Sequence, residues 1–244
     1  MKILKVLFSL GVVLLLADVA TALDWVGKIT ESQGQVSIIR SGQTLARLGS
    51  GGVLPGDEIV TGPSSRAKIW FKDNSQITLS EKSRFKVDAL EYNEGVNRKS
   101  VFTLVSGKAR ALVGGWFSPT TPELQYQIHA LSTTAGVRGT EFTVEIQVLG
   151  QTKVVYVEVF SGNVRFWTAE NPQQVINIPA DSNFQVREGE NAQQAQERQQ
   201  QYAQQLAQEI FGNSGRGGGM GGSTEGGGSN PPPQPASPAN RTEQ

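Results

Sequence analysis

Few residues in this chain have the types and spacing that catalysis requires. His129 is the only histidine among 244 residues, and there is no cysteine. A zinc site draws on histidine, thiolate and carboxylate ligands, so one imidazole leaves any such site short of donors. A Ser-His-Asp arrangement would have to use His129. That residue alternates with apolar neighbours on a strand pattern and shares its polar face with Gln125 and Gln127. Gly49-Ser50-Gly51-Gly52 lacks both the lysine and the strand-to-helix setting of a phosphate loop. A carboxylate pair for glycoside hydrolysis is assembled by the fold and leaves no mark in sequence. We therefore expect no enzyme, no cofactor and no metal. The remaining candidates would bind rather than react. Arg138 stands between Gly136 and Gly139, ahead of the strand that starts at Thr140, and could pair with Glu141 or another carboxylate, or anchor a ligand carboxylate or phosphate. Trp70, Trp116 and Trp167 could pack into the core or form a stacking platform for a glycan or a partner side chain. Pro55-Gly56 fits the centre of a type II turn, with Asp57 bonding nearby backbone N–H groups. A calcium site using Asp57 and Glu58 is the alternative there.

The elements that must position these residues read as strands. Thr140, Phe142, Val144, Ile146 and Val148 alternate with polar residues, as do Leu124, Tyr126, Ile128 and Ala130. Period-two alternation gives one buried and one wet face. Val154–Phe160 is apolar on nearly both faces and suits a strand buried on both sides. Shorter strand candidates are Gln35–Arg40, Ala67–Lys72, Gln76–Leu79, Phe85–Ala89, Val101–Val105, Ala109–Val113, Asn163–Thr168, Val175–Ile178 and Phe184–Arg187. Asp73-Asn74, Ser106-Gly107 and Ser161-Gly162 read as antiparallel hairpin turns. An internal echo links Val105-Ser106-Gly107-Lys108-Ala109-Arg110 to Phe160-Ser161-Gly162-Asn163-Val164-Arg165. The expected fold is all-β, an antiparallel β-sandwich or a short solenoid-like stack of hairpins, with a C-terminal α-helix and a disordered tail.

Composition sets the boundaries. Lys+Arg and Asp+Glu are both 22, so no basic excess points to nucleic acid. Residues 1–22 read as a signal peptide: Lys2 and Lys5, an apolar run from Leu7 to Leu16, and small residues at Ala20 and Ala22. Retention of this leader as an anchor is the alternative. No later segment has the apolar length to cross a bilayer. Residues 23–188 form the expected β-domain, and 189–212 a Gln/Ala-rich helix with Ala195, Tyr202, Leu206 and Ile210 on one face. Residues 213–244 form a Gly/Pro-rich tail. The apolar stripe of the helix would pack on the β-domain or pair with another helix.

One further set of residues carries a resemblance. Gly34-Gln35-Val36, Leu54-Pro55-Gly56-Asp57, Ser65-Arg66-Ala67-Lys68-Ile69, Phe71-Lys72-Asp73-Asn74-Ser75, Val137-Arg138-Gly139-Thr140-Glu141-Phe142 and Ser161-Gly162-Asn163-Val164 occur in this order over roughly Gln33 to Thr168. In that order the chain resembles the FecR domain family. The resemblance implies an all-β extracytoplasmic domain. In the best-known members it relays a signal from an outer-membrane transporter to a cytoplasmic sigma factor, and no catalytic residues carry over. Those regulators place an anti-sigma segment and a transmembrane helix before the β-domain, whereas here a leader runs straight into it. The expectation is a free-standing periplasmic or secreted module for protein interaction or sensing in the cell envelope. Its partner would be an envelope protein. The alternative is a scaffold that binds cell-wall glycan through exposed tryptophans.

Overall fold

The structure is a computed structural model that describes residues 25–45, 52–93, 97–114 and 126–212. The expected leader, Trp116 and the Gly/Pro-rich tail lie outside the described residues. In chain order the strands are β1 (Gly27–Gln33), β2 (Val36–Arg40), β3 (Gln43–Leu45), β4 (Glu58–Thr61), β5 (Arg66–Phe71), β6 (Gln76–Leu79), β7 (Arg84–Asn93) and β8 (Asn97–Leu112). They continue with β9 (Tyr126–Ala130), β10 (Thr133–Val137), β11 (Glu141–Leu149), β12 (Thr152–Ser161), β13 (Asn163–Thr168), β14 (Asn171–Pro179) and β15 (Ser182–Arg187). The helix α1 (Ala192–Gly212) follows. The chain divides into two compact units, one ending at Gln201 and the other beginning at Tyr202.

The strands form two layers. Sheet A runs β1-β5-β6-β8-β11-β12-β15, and sheet B runs β14-β13-β10-β9-β8-β7-β4-β2-β3. Every pairing is antiparallel except β8 with β9. Alternation decides which residues face inward: Ala67, Ile69 and Phe71 of β5 are buried, and Trp70 between them is exposed. The inner faces meet at Phe102 of β8, whose ring centroid lies 4.9 Å from Phe71, 5.3 Å from Phe85 and 5.3 Å from Tyr126. Tilted and offset ring pairs of this kind add to the area term of burial. Val154–Phe160 is not doubly buried as expected: Glu158 and Phe160 are exposed while Val155, Val157 and Val159 face the core. Sheet A is wet on its outer side, so β12 keeps one polar face.

Asp73-Asn74 closes the β5–β6 hairpin as expected. Ser106-Gly107 and Ser161-Gly162 do not close hairpins. Gly107 lies inside the continuous strand β8, whose first part pairs β7 and β9 in sheet B and whose last part pairs β6 and β11 in sheet A. Gly162 separates β12 of sheet A from β13 of sheet B. Gly34 likewise separates β1 of sheet A from β2 of sheet B. These glycines are corners at which the chain changes sheet.

Each corner packs on a return crossing in the opposite direction. Gly34, Gly107 and Gly162 have φ of 72°, 82° and 80°. Facing them are Ser64 (φ 51°), Lys82 (φ 53°) and Gly139 (φ 62°), each followed by a hydroxyl residue: Ser65, Ser83 and Thr140. The hydroxyl accepts from the N–H after the glycine: Gln35 N to Ser65 Oγ at 2.9 Å, Lys108 N to Ser83 Oγ at 3.0 Å, Asn163 N to Thr140 Oγ1 at 3.4 Å. At two of them it also donates to the following carbonyl, Ser83 to Lys108 O at 3.2 Å and Thr140 to Asn163 O at 3.0 Å. The two-copy echo in the sequence is thus part of a threefold structural repeat of antiparallel ribbons that bend from one sheet into the other.

The start of α1 covers one sheet border. Ala192 and Ala195 are buried. Arg198 donates to Gln185 O of β15 at 3.1 Å and pairs with Glu190 at 2.8 Å. Tyr202, Leu206 and Ile210 are exposed, so of the stripe read from the sequence only Ala195 is buried.

Candidate functional site

Three polar residues of the sequence motifs, Asp57, Asp73 and Thr140, are engaged in internal hydrogen bonds. Asp57 is fully buried and receives two hydrogen bonds from Arg40 of β2, from Nε and Nη2, both at 2.7 Å. It also accepts from Leu54 N at 2.8 Å across the Pro55-Gly56 turn, where Gly56 has φ of 89°. The bidentate guanidinium fork matches the carboxylate, and hydrogen bonding to Asp57 raises the Arg40 pKa above its ordinary value. With both oxygens engaged, Asp57 offers no calcium site with Glu58, which pairs with Arg84 instead. Asp73 is also buried: Oδ1 accepts from Ser75 N at 2.8 Å and Ser75 Oγ at 2.6 Å, and Oδ2 accepts from Ser100 Oγ at 2.5 Å. This ties the β5–β6 turn of sheet A to β8 in sheet B. Burial pushes the Tyr126 hydroxyl pKa well up, the nearby Asp73 charge adds to this, and a hydrogen bond with Ser75 opposes it. Nothing in the sequence singles out Arg40, Asp73 or Ser100 as a group. The signal for Arg40 is only a buried turn aspartate in need of a cation.

The sequence-predicted binding residues are not brought together. Arg138 is exposed on the return corner beside Gly139, and among the described residues it makes no ion pair. Its expected partner Glu141 is taken by Arg110 at 2.7 Å. Gly136 sits within β10, opposite Arg165 and Gln127, and does not form a turn. Trp70 points out from sheet A and is 47% exposed. Trp167 is half-buried on the outer side of sheet B, opposite Thr134. The two indoles therefore lie on opposite sides of the sandwich. His129 is half-buried on the outer side of sheet B, with Nδ1 2.9 Å from Thr134 Oγ1. Desolvation lowers its pKa, against the pull of Asp88. Among the described residues no three His, Asp or Glu side chains are grouped to hold a metal ion.

The outer face of sheet A is accessible. Along β5 the outward residues are Arg66, Lys68 and Trp70. Beside them on β1, Lys28 is the cross-strand partner of Trp70, and Glu31 that of Lys68. A shallow groove of about 350 Å³ is lined by Glu31, Ser32, Gln33, Arg66, Lys68 and Thr78. Farther across the face the cations are engaged: Arg110 with Glu141, and Lys108 with Glu145 at 3.1 Å. Arg110 also lies 4.6 Å over the ring of Phe160.

Comparison with known proteins now bears on this geometry. Residues 57–165 match the family model described as FecR protein. Over these residues the chain is similar to the FecR domain. No curated protein matches the chain. Two crystal structures, each described as of a "putative anti-sigma factor" from Parabacteroides distasonis ATCC 8503, match at 14% identity with TM-scores of 0.41 and 0.40. Each match covers 55% of this chain and 56% of the other, so the chain spans little more than half the length of the solved structures it matches. The FecR match begins at the buried Asp57 and ends at Arg165, just after the third corner. It therefore includes the Asp73 network and two of the three corner glycines. No helix among the described residues is long and apolar enough to cross a membrane.

Proposed function

We propose that this protein is an exported, non-catalytic FecR-domain module that acts in the bacterial cell envelope by binding a protein partner, as an interaction or sensory element. One observation carries the reading. Asp57, Asp73 and Thr140, three polar motif residues of the FecR region, are held in internal hydrogen bonds, while Arg66, Lys68 and Arg138 of the same motifs stay accessible on the surface. Such an arrangement favours a domain that presents a surface to a partner. Export, to the periplasm or beyond, rests on the leader-like residues 1–22. The alternative reading, glycan binding, draws on the exposure of Trp70.

The edges of the sheets argue for docking on a face. Strand edges attract new strands unless they are blunted. Here β3 has three residues, β14 carries Pro172 and Pro179, β1 has a bulge between Ile29 and Glu31, and β15 is covered by Arg198. The test is chemical crosslinking in intact envelopes, with the full chain compared to one ending at Gln201. A stoichiometric envelope protein recovered with the full chain supports the reading, and its loss from the shorter chain assigns the contact to residues 202–244. Recovery of cell-wall glycan without a protein partner would replace it with the glycan reading.

A further inference from the structure

We propose that the outer face of the β1–β5–β6 ribbon is the docking surface, and that it takes an extended acidic segment of the partner protein. This rests on the protein-binding reading above and names the surface and the chemistry of its ligand. Side chains on one side of a strand recur at about 7 Å. Arg66, Lys68 and Trp70 thus present two cations and an indole at the repeat of alternate side chains in an extended peptide. An incoming segment with two carboxylates and then an apolar side chain, each two residues apart, would match all three.

Charge complementarity selects acidic over basic segments. The ribbon carries Lys28, Arg66 and Lys68 against Glu31 alone. Among the described residues neither Lys28 nor Arg66 makes an ion pair. Lys68 holds Glu31 at 3.3 Å, and the Glu31 side chain is 72% exposed. An exposed pair of this kind contributes little to stability and is readily exchanged for another carboxylate. Next to the ribbon, Lys108 and Arg110 of β8 are already neutralised by Glu145 and Glu141. The groove floor supplies Thr78 and Gln33 for hydrogen bonds to the peptide.

The test uses the full chain and a decapeptide repeating Glu-Thr-Glu-Thr-Leu, with a Gln-for-Glu version as control. Amide and indole shifts of the isotope-labelled protein report binding. The expected result is saturable shifts confined to β1, β5, β6 and the Trp70 indole, weakened about tenfold or more by R66E/K68E, since opposing charges act at two contacts. The Gln version should not bind. R66Q/K68Q, which keeps both positions polar and uncharged, should weaken binding less than the reversal. Absence of saturable shifts, shifts elsewhere, or indifference to R66E/K68E would overturn the proposal. So would R66/K68-dependent binding of phosphatidylglycerol vesicles or sulfated glycan without binding of the peptide. If envelope crosslinking captures a protein equally with the unsubstituted chain and with R66E/K68E, the protein-binding reading stands and this surface is wrong; if the unsubstituted chain captures none, the reading itself fails.

Discussion

Removing the Asp57 carboxylate leaves the Arg40 guanidinium and the Leu54 N–H facing a gap inside the fold. Asp57→Ala is expected to cost about 3 kcal/mol, the scale for breaking a buried charge pair from one side. Urea unfolding at neutral pH measures it as a shift in midpoint at constant slope. His129 makes a different prediction. Its folded pKa is lowered from the ordinary 6.5 by desolvation, so the unfolded chain binds the proton more readily. Stability is then full above the unfolded value and is lost as pH falls from about 6.5 toward the lowered folded value, with no further change from this group below both. His129→Gln should flatten the pH dependence of the unfolding midpoint in that window. A variant with an unchanged slope would mean that the imidazole is solvated in the folded protein. These residues differ in how far the sequence exposes them. Asp57 and its turn are legible because Pro-Gly dictates local dihedrals. Arg40 is not, because the pair joins residues 17 apart whose meeting depends on the β2–β4 register. Alternation places His129 on the correct face, but its half-burial comes from neighbours on β10 and depends on tertiary packing.

At the scale of elements, the corners are the parts most sensitive to a single methyl group. A Cβ at Gly107 would lie 2.4 Å from Ser83 Oγ and 2.6 Å from Ser83 Cα, and one at Gly162 2.5 Å from Gly139 O. Gly150 also has positive φ, 65°, but its Cβ would meet nothing within 4 Å. Gly150→Ala should therefore cost only the left-handed backbone penalty, about 1 kcal/mol. Gly107→Ala and Gly162→Ala should cost that plus the displacement of a packed corner, about 2–4 kcal/mol in all. Thermal unfolding of the three variants side by side gives the ranking, and equal losses would show that the corners tolerate relaxation. Alternation identifies most strands because most have one wet face. It misses β1, where a bulge breaks the period and most residues are exposed, and β10, whose Thr133-Thr134-Ala135-Gly136-Val137 is buried throughout and has no polar phase to read. Ser-Gly reads as a hairpin for a physical reason: a positive φ reverses a strand or bends it into a second layer, and only the partners of the flanking residues distinguish the two.

For the molecule as a whole, the unit ending at Gln201 contains the β-layers, both buried alanines of α1, and Arg198 with its bond to β15. A chain ending at Gln201 should unfold at the same urea midpoint as the full chain, within about 0.5 kcal/mol, as expected for changes away from packed features. A loss well above that would show that residues 202–244 contribute to the fold. The family resemblance is legible at this scale because its motifs are the corners and turn locks, which recur in fixed order. The surface that we assign to docking is not, since Arg66, Lys68 and Trp70 gain meaning only when β1 is laid beside them. The corners also bear on how the chain reaches this structure. Sandwiches usually fold slowly because their pairings join distant segments, and loop closure must precede any gain from contact. Here the three corner hydrogen bonds span 30, 25 and 23 residues. Each bent ribbon can close on its own and deliver a piece of both layers at once, so this topology permits a sandwich built by adding ribbons side by side, with no need to bring two finished sheets together.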